Sequence, residues 1–208
     1  MNKHHYVAIM AGGIGSRFWP KSRTSMPKQF LDILNTGKTL IQWTFERYAE
    51  FIPKENIFVV TSQDYEAIVA EQLPEMSREN ILCEPSRKNT APCIAYISFK
   101  LLQKDSEASL IVAPSDHIIL DNNAFKTITL KALDFVTHLK AFVTLGITPT
   151  YPNTGYGYIQ HDTLSVAEYI YKVKTFTEKP NLELAKTFIS SGDFLWNAGI
   201  FVWQVKNV

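Results

Sequence analysis

Three short apolar runs in the first half of the chain, at residues 6–11, 56–61 and 109–113, predict strands. Each run is apolar at nearly every position rather than at every second position. Strands of a parallel sheet that is covered on both faces have this pattern, because neither of their faces meets water. We therefore expect a buried, mostly parallel sheet in this half of the chain.

Apolar residues recur at helical spacing between these runs. They predict helices over residues 39–50, 64–72, 89–103 and 122–138. Asp64 stands at the first position of the second helix, where an aspartate can act as the cap. Strands that alternate with helices indicate an α/β fold with crossover connections, which we expect to be doubly wound.

The pattern changes after Lys140. Four later segments look like strands with fewer helices between them: AFVTLGI, YGYIQH, YIYKVKTFTEKP and FLWNAGIFVW. We interpret this half as mixed sheet. The predicted fold class is α/β, with a Rossmann-like, doubly wound, mixed and mostly parallel sheet flanked by helices, in one domain over residues 1–208.

Composition narrows the class of protein. Hydrophobic residues make up 46% of the 208 residues and the net charge is +1, so no overall basic field indicates nucleic acid as a partner. No apolar run approaches the ~18 residues of a membrane span. The two cysteines, Cys83 and Cys93, form no CxxC pair, which argues against a zinc site and favours a reducing cytoplasm.

The loop after the first strand combines glycines with basic side chains. Residues 10–30 read MAGGIGSRFWPKSRTSMPKQF and contain Gly12, Gly13, Gly15, Arg17 and Lys28 but no acid. Ligands of open α/β sheets gather at the carboxyl ends of the strands, and successive backbone N–H groups can form a nest for an anion. We therefore expect a phosphate here, although the spacing matches neither the dinucleotide fingerprint nor the P-loop.

Six sequence blocks resemble signature segments of the sugar nucleotidyltransferases, in the same order. The blocks are G-G-x-G-x-R with P-K-Q-F, E-P with K-N-T-A-P, P-S-D-H, T-G-Y-G-Y-I, F-T-E-K-P and W-N-A-G-I-F. Within that group they look most like the mannose-1-phosphate guanylyltransferases. The resemblance covers nearly the whole chain and implies a nucleotide-binding part at about residues 1–140 and a sugar-binding part at about 141–208.

The implied reaction transfers GMP from GTP to mannose 1-phosphate and gives GDP-mannose and pyrophosphate. An oxygen of the sugar phosphate would attack the α-phosphorus in line, so catalysis would rest mostly on positioning and on neutralising charge. Arg17 would hold the leaving pyrophosphate, because a guanidinium matches phosphate oxygens bidentately. Lys28 would act at the α-phosphate. Gly12, Gly13 and Gly15 would contact the nucleotide through the backbone.

Asp116 follows an apolar run directly. An acid at the carboxyl end of a strand, across from a phosphate loop, suits Mg²⁺, which proteins often hold with one or two carboxylates and the substrate phosphates. We therefore expect Mg²⁺ as the cofactor and Asp116 as its ligand. The alternative is that Asp116 caps the next helix.

The resemblance also implies residues for the base and for the sugar. The guanine would meet the Glu84 carboxylate and the backbone of its neighbours in the second block: Pro85, Asn89, Thr90 and Ala91. Glu178 would accept hydrogen bonds from sugar hydroxyls, Lys179 would pair with the sugar phosphate, and Asn197 could donate or accept. The fourth block completes the expected sugar-binding set: Gly155, Tyr156 and Gly157.

Two other functions stay open at this point. One is transfer of a nucleotide to a different sugar 1-phosphate, and the other is a non-catalytic module that binds a nucleotide or a sugar phosphate. Family members of this type are longer, so we expect a second acidic magnesium ligand beyond Val208 and only weak turnover by these 208 residues. GTP and mannose 1-phosphate are the expected partners, neither nucleic acid nor a membrane is expected, and a homodimer is left open.

Overall fold

The computed structural model describes residues 1–13, 18–84 and 90–208, with residue 90 described by its backbone alone. Four residues assigned to the site from the sequence lie outside this description: Gly15, Arg17, Pro85 and Asn89. The chain divides into two compact units. The first unit comprises Met1–Phe142 and Val202–Val208, and the second comprises Val143–Phe201. The division into a nucleotide part and a sugar part stays a prediction.

Four parallel strands form the centre of the first unit. They are β1 (His5–Met10), β2 (Ile57–Ser62), β3 (Ile81–Glu84) and β4 (Ser109–Pro114), in the order β3-β2-β1-β4. Ile9 of β1 lies opposite Val59 of β2 on one side and Ala113 of β4 on the other. All three side chains are buried, as the continuous apolar runs predict. Because the strands are parallel, the loops that follow β1 and β4 leave the same edge of the sheet.

The described residues of the first unit form the helices α1 (Leu40–Ala49), α2 (Glu66–Gln72), α3 (Thr90–Lys104) and α4 (Asn122–His138). The predicted Asp64 cap of α2 is wrong. Residues Gln63–Tyr65 form a tighter 3₁₀ turn, and Tyr65 occupies the N-cap position. Strand β3 was not predicted, because its four residues, ILCE, are too short and too polar at the end to stand out.

The second unit is built mainly from antiparallel strands. Its elements are β5 (Phe142–Ile147), β6 (Tyr158–Ala167), β7 (Ile170–Thr177), α5 (Leu182–Ser191) and β8 (Phe194–Gln204). The first residue of β5 and the last three residues of β8 belong to the first unit. Strand β6 pairs with β7 on one side and with β8 on the other, and β5 also pairs with β8. A small core joins this sheet to α5: Tyr158, Ala185, Phe188, Phe194 and Trp196.

The predicted fold class is confirmed, because the sheet is mixed and mostly parallel and helices flank it. Within the described part of the chain, no helix combines the length and the apolar character that crossing a membrane requires.

Candidate functional site

Lys28 and Asp116 form an ion pair in the first unit, between Lys28 Nζ and Asp116 Oδ2. Lys28 begins a short 3₁₀ turn in the loop after β1, and Asp116 lies two residues after the end of β4. Their side chains are only 27% and 18% exposed. A cation and an acid that are half-buried at the same edge of a parallel sheet can together serve a phosphate and its counterion.

Asp116 is not a helix cap. The N-cap of α4 is Asp121, whose Oδ1 accepts a hydrogen bond of 2.9 Å from the Ala124 N–H. The alternative reading of Asp116 is therefore wrong, and its carboxylate faces Lys28 instead. Its expected role as a magnesium ligand stays a prediction.

The buried side chain of Gln29 fixes the start of the glycine loop. Its Nε2 donates hydrogen bonds of 2.9 Å to the carbonyl oxygens of both Ala11 and Gly13. Thr61 Oγ1 also donates to Ala11 O, at 3.1 Å. A trans peptide directs its C=O and N–H to opposite sides, so tying the Ala11 carbonyl to Gln29 directs the Gly12 N–H away from Gln29. The backbone there is arranged before any ligand arrives.

Glu84 ends β3 beside the same loop. A Cβ atom on Gly12 would lie 3.6 Å from Glu84 Oε2, so the carboxylate stands close to the glycine backbone. Burial raises the pKa of the Glu84 carboxyl. Burial, and then the Glu84 charge, raise the pKa of the Cys93 thiol to about 12. Ala91 lies in the first turn of α3 and is exposed. The expected roles of Glu84, Thr90 and Ala91 at the base stay predictions.

Two side chains of α1 hold the backbone on either side of Asp116. Thr44 Oγ1 donates to Ser115 O at 3.1 Å, and Arg47 Nη2 donates to His117 O at 3.2 Å. Burial lowers the pKa of His117, and the neighbouring Asp116 opposes that shift. Thr44 and Arg47 lie within the helix predicted over residues 39–50 and belong to no sequence motif. Arg47 follows Leu40 and Thr44 at the i, i+4, i+7 spacing of one helical face, and a charged residue on that face was the signal that could have identified it.

Three of the residues expected at the sugar lie together in the second unit. A Cβ atom on Gly157 would lie 2.7 Å from Glu178 Oε2 and 3.6 Å from Asn197 Cβ. The Asn197 N–H donates to Gly157 O at 2.8 Å. Glycine is therefore the residue that lets the Glu178 carboxylate approach the backbone here.

The Asn197 amide oxygen is already engaged. Its Oδ1 accepts from the Gly199 N–H at 2.9 Å and from Thr144 Oγ1 at 3.3 Å. Gly199 has a φ of +66°, a conformation that favours glycine, so these bonds hold a local irregularity of the backbone within β8. The Asn197 Nδ2 group is then the part of the side chain suited to a ligand, as a donor. Sequence reasoning did not identify Thr144, which carries no motif signal.

Lys179 pairs with its neighbour Glu178, with Nζ 2.6 Å from Oε1. The side chains are 51% and 68% exposed, respectively. Lys179 has a φ of +45°, which is uncommon for a residue with a Cβ atom and carries some strain. The pair is thus held open to water at the end of β7.

Tyr156 makes a contact with Trp196, and Gly155 makes one with Asn153. The Tyr156 ring packs against Trp196 with 5.1 Å between the ring centroids. The Gly155 N–H donates to Asn153 Oδ1 at 2.7 Å. These contacts shape the loop before β6, and the expected part of both residues in sugar binding stays a prediction.

A metal site made by the protein alone is not found in residues 1–13, 18–84 and 90–208: no three His, Cys, Asp or Glu side chains there are grouped to hold an ion. Asp116 nonetheless supplies a hard carboxylate oxygen beside Lys28. One carboxylate suits Mg²⁺ when substrate phosphates supply further ligands.

Comparison with known proteins identifies the family. The sequence profile of the nucleotidyl transferase family matches residues 6–208. The mannose-1-phosphate guanylyltransferase of Escherichia coli K12 is 39% identical over 206 residues, which are 96% of this chain and 42% of that protein. The one from Salmonella montevideo is 42% identical over 203 residues, covering 94% of this chain and 42% of the relative.

A solved structure agrees with these sequences. A crystal structure described as mannose-1-phosphate geranyltransferase, from Thermus thermophilus, superposes with a TM-score of 0.88 and 34% identity. The match covers 98% of this chain and 58% of that chain. The chain thus spans about two fifths of the length of the curated relatives it matches. With a matching profile over nearly its whole length, the chain belongs to the nucleotidyl transferase family.

Proposed function

We propose that this chain carries the nucleotide- and sugar-binding part of a mannose-1-phosphate guanylyltransferase. In this reaction an oxygen of mannose 1-phosphate attacks the α-phosphorus of GTP, the bond to the β-phosphate oxygen breaks, and pyrophosphate leaves. The names of the relatives that are 39% and 42% identical support the choice of GTP and mannose 1-phosphate.

The Lys28–Asp116 pair is the observation that carries the proposal. A reaction between two anions needs fixed positive charge near the phosphorus, and a half-buried ammonium supplies it in a region of lowered dielectric. In the free chain the ammonium is neutralised by Asp116. A phosphate that binds Lys28 would compete for the ammonium and leave the carboxylate ready for a cation.

Asp116 is the described residue that would hold Mg²⁺, together with phosphate oxygens of GTP. When bound, Mg²⁺ would supply neutralisation of the phosphate charge. The chain's own contribution is positional: the Gln29 bonds direct the Gly12 N–H, and Lys28 binds the phosphate that transfers. Arg17, which lies outside the described residues, is proposed to hold the leaving pyrophosphate.

The second unit is proposed to bind the sugar phosphate. Glu178 would accept hydrogen bonds from two hydroxyls and Asn197 Nδ2 would donate to a third oxygen. Lys179 would exchange its bond with Glu178 for the sugar phosphate. Both partners are exposed, so little free energy is lost when a ligand breaks their bond.

Pyrophosphate release from GTP tests the proposal. We expect release only when GTP, mannose 1-phosphate and Mg²⁺ are all present, with GDP-mannose formed in equal amount. ATP and dTTP should react more slowly than GTP, because mispaired base groups cost roughly 1–3 kcal/mol each. Equal rates with glucose 1-phosphate and dTTP would instead indicate another sugar nucleotidyltransferase. Binding of GTP without any transfer would indicate a non-catalytic module.

A further inference from the structure

A buried arginine of α1 has an unusual set of partners. Arg47 is 5% exposed, and no carboxylate in the described ranges makes an ion pair with it. Its Nε donates to Asn122 Oδ1 at 3.2 Å and its Nη2 donates to His117 O at 3.2 Å. The guanidinium also lies 5.7 Å from the centroid of the Phe125 ring. A buried charge needs compensation, and here neutral oxygens and an aromatic face supply it.

Thr44 lies one turn before Arg47 on the same face of α1, because residues three apart are neighbours on a helix. It is 1% exposed, and its hydroxyl donates to Ser115 O at 3.1 Å. The Ser115 N–H in turn donates to Met10 O at the end of β1, at 3.2 Å. The backbone is thus bound at Ser115 and again at His117, on both sides of Asp116.

Packing alone does not require these polar groups. An apolar side chain of similar size could fill the space beside Phe125, so the packed volume of Arg47 does not by itself account for its polar atoms. The polar atoms of Thr44 and Arg47 meet the two carbonyls that flank Asp116. What the polar atoms add is therefore a fixed backbone path, which directs the Asp116 carboxylate toward Lys28.

We propose that Arg47 and Thr44 are positioning residues that hold the Asp116 loop, hereafter residues 115–117, in the conformation that receives the magnesium complex of GTP. This inference rests on the proposed function. It concerns residues to which the sequence motifs assign no role, and it predicts that both act through Asp116.

Calorimetric binding of GTP to the 208-residue chain, with Mg²⁺ and with EDTA, is the first test. The ratio of the two affinities measures the magnesium-dependent gain. The wild type is to be compared with three variants. Arg47→Lys keeps the positive charge but loses the planar, forked set of guanidinium donors. Thr44→Ser keeps the hydroxyl of Thr44, and Thr44→Val removes it. Asp116→Asn serves as the reference for a lost carboxylate. Val69→Ala, in the buried face of α2, serves as the control for general destabilisation.

The gain should fall about tenfold in Arg47→Lys, as expected for one lost hydrogen bond to a charged group, while the affinity in EDTA changes less than about twofold. Thr44→Val should lose part of the gain and Thr44→Ser should recover it. In the Asp116→Asn background, Arg47→Lys should cause no further loss, because residues that act through one another are not additive. Val69→Ala should lower thermal stability without changing the gain.

Equal losses with Mg²⁺ and with EDTA, or a full Arg47→Lys effect in the Asp116→Asn background, would overturn the inference. A wild-type chain that shows no magnesium-dependent gain would overturn the magnesium assignment. Hydrogen exchange then decides the inference: faster amide exchange at residues 115–117 in Arg47→Lys supports loop positioning, and unchanged exchange rejects it. A chain that shows the gain but transfers no GMP would reject the proposed function alone.

Discussion

Two lysine–carboxylate pairs, one in each unit, differ in how firmly their surroundings hold them. Lys28 and Asp116 are mostly buried, whereas Lys179 and Glu178 are mostly exposed. Buried polar side chains tie down the backbone beside the first pair, through Gln29, Thr44 and Arg47. The second pair joins adjacent residues at the end of β7.

The difference in exposure predicts that the two pairs would receive a charged ligand in different ways. A pair with restricted access to water keeps its geometry, and its charges interact more strongly because the local dielectric constant is low. Such fixed charges are suited to stabilising the charge that develops in a transition state. An exposed pair is screened and is worth about 0–1 kcal/mol, so a ligand can replace it at little cost. We therefore expect chemistry to depend most on the first pair, and sugar affinity to depend on the second.

Lys28→Ala should have the largest effect. Loss of a charge-assisted contact costs roughly 1.5–3 kcal/mol, so kcat/KM for GMP transfer should fall roughly 10- to 100-fold. Lys179→Ala should change kcat/KM no more than about fivefold and act through KM for mannose 1-phosphate. Steady-state kinetics of both variants check this, and equal losses would show that burial does not separate the two pairs.

Gln29→Leu should have the second largest effect, and the loss should be in folding stability. It leaves the Gly13 carbonyl without its bond and Ala11 O with Thr61 alone. A buried acceptor without a partner costs roughly 1–3 kcal/mol, and each kcal/mol lowers Tm by about 2–4 °C in a chain of this size.

The matched change in the second unit is Thr144→Val, which removes bonds of 3.3 Å to Asn197 Oδ1 and 3.2 Å to Ile200 O. Thr144 is half-exposed, so water can replace it and Tm should fall less; a larger fall for Thr144→Val would reverse the comparison.

Part of the fold could be predicted from the sequence, whereas the hydrogen bonds of Gln29 and Thr144 could not. The strands β1, β2 and β4 follow from continuous apolar runs, because burial on both faces leaves no polar positions. The approach of Lys28, in the loop after β1, to Asp116, after β4, agrees with the common edge of parallel strands. These inferences need only local patterns and the topology.

The contacts that hold the site could not be predicted in the same way. Gln29 reaches carbonyls 16 and 18 residues away, and Arg47 reaches His117 across 70 residues. Such bonds depend on how α1 and the loops pack, which periodicity does not specify. The bond that Asn197 Oδ1 accepts depends on the backbone conformation of Gly199, which the sequence does not specify. The residue type therefore predicted that Asn197 could donate or accept, whereas the structure leaves mainly its donor for a ligand.

Asn197→Asp separates these two roles in the second unit. The aspartate keeps an acceptor for the Gly199 N–H, so stability should change little. It removes the amide donor, so KM for mannose 1-phosphate should rise about tenfold, as for one lost hydrogen bond, while GTP affinity stays the same. Asn197→Ala should raise KM similarly and also lower Tm. Loss of GTP affinity in Asn197→Asp would show that the residue serves the nucleotide instead.

Glu84→Gln should have the smallest effect, which is a change in the folding stability of the protein without ligand. Burial raises the pKa of the Glu84 carboxyl above its ordinary value, so the folded state holds this proton more tightly than the unfolded state. Stability therefore falls as the pH rises through the window just above about 4.3, the ordinary pKa of a glutamate. At neutral pH the wild type carries the cost of a partly desolvated charge.

The neutral amide of Glu84→Gln removes that cost, so the variant should be slightly more stable than wild type at pH 7, and the difference should shrink toward pH 4. Chemical denaturation at a series of pH values measures this difference.

Glu178→Gln is the matched control in the second unit. The Glu178 carboxylate is exposed and loses little hydration, so its substitution should give no gain in stability at pH 7. The same Glu84→Gln chain should bind GTP less tightly, because an amide offers the guanine N–H groups a weaker acceptor than a carboxylate. A variant that gains no stability at pH 7, or whose gain does not change with pH, would show that the Glu84 carboxylate is already solvated or paired in the free protein, and that the first unit does not store unfavourable charge beside its glycine loop.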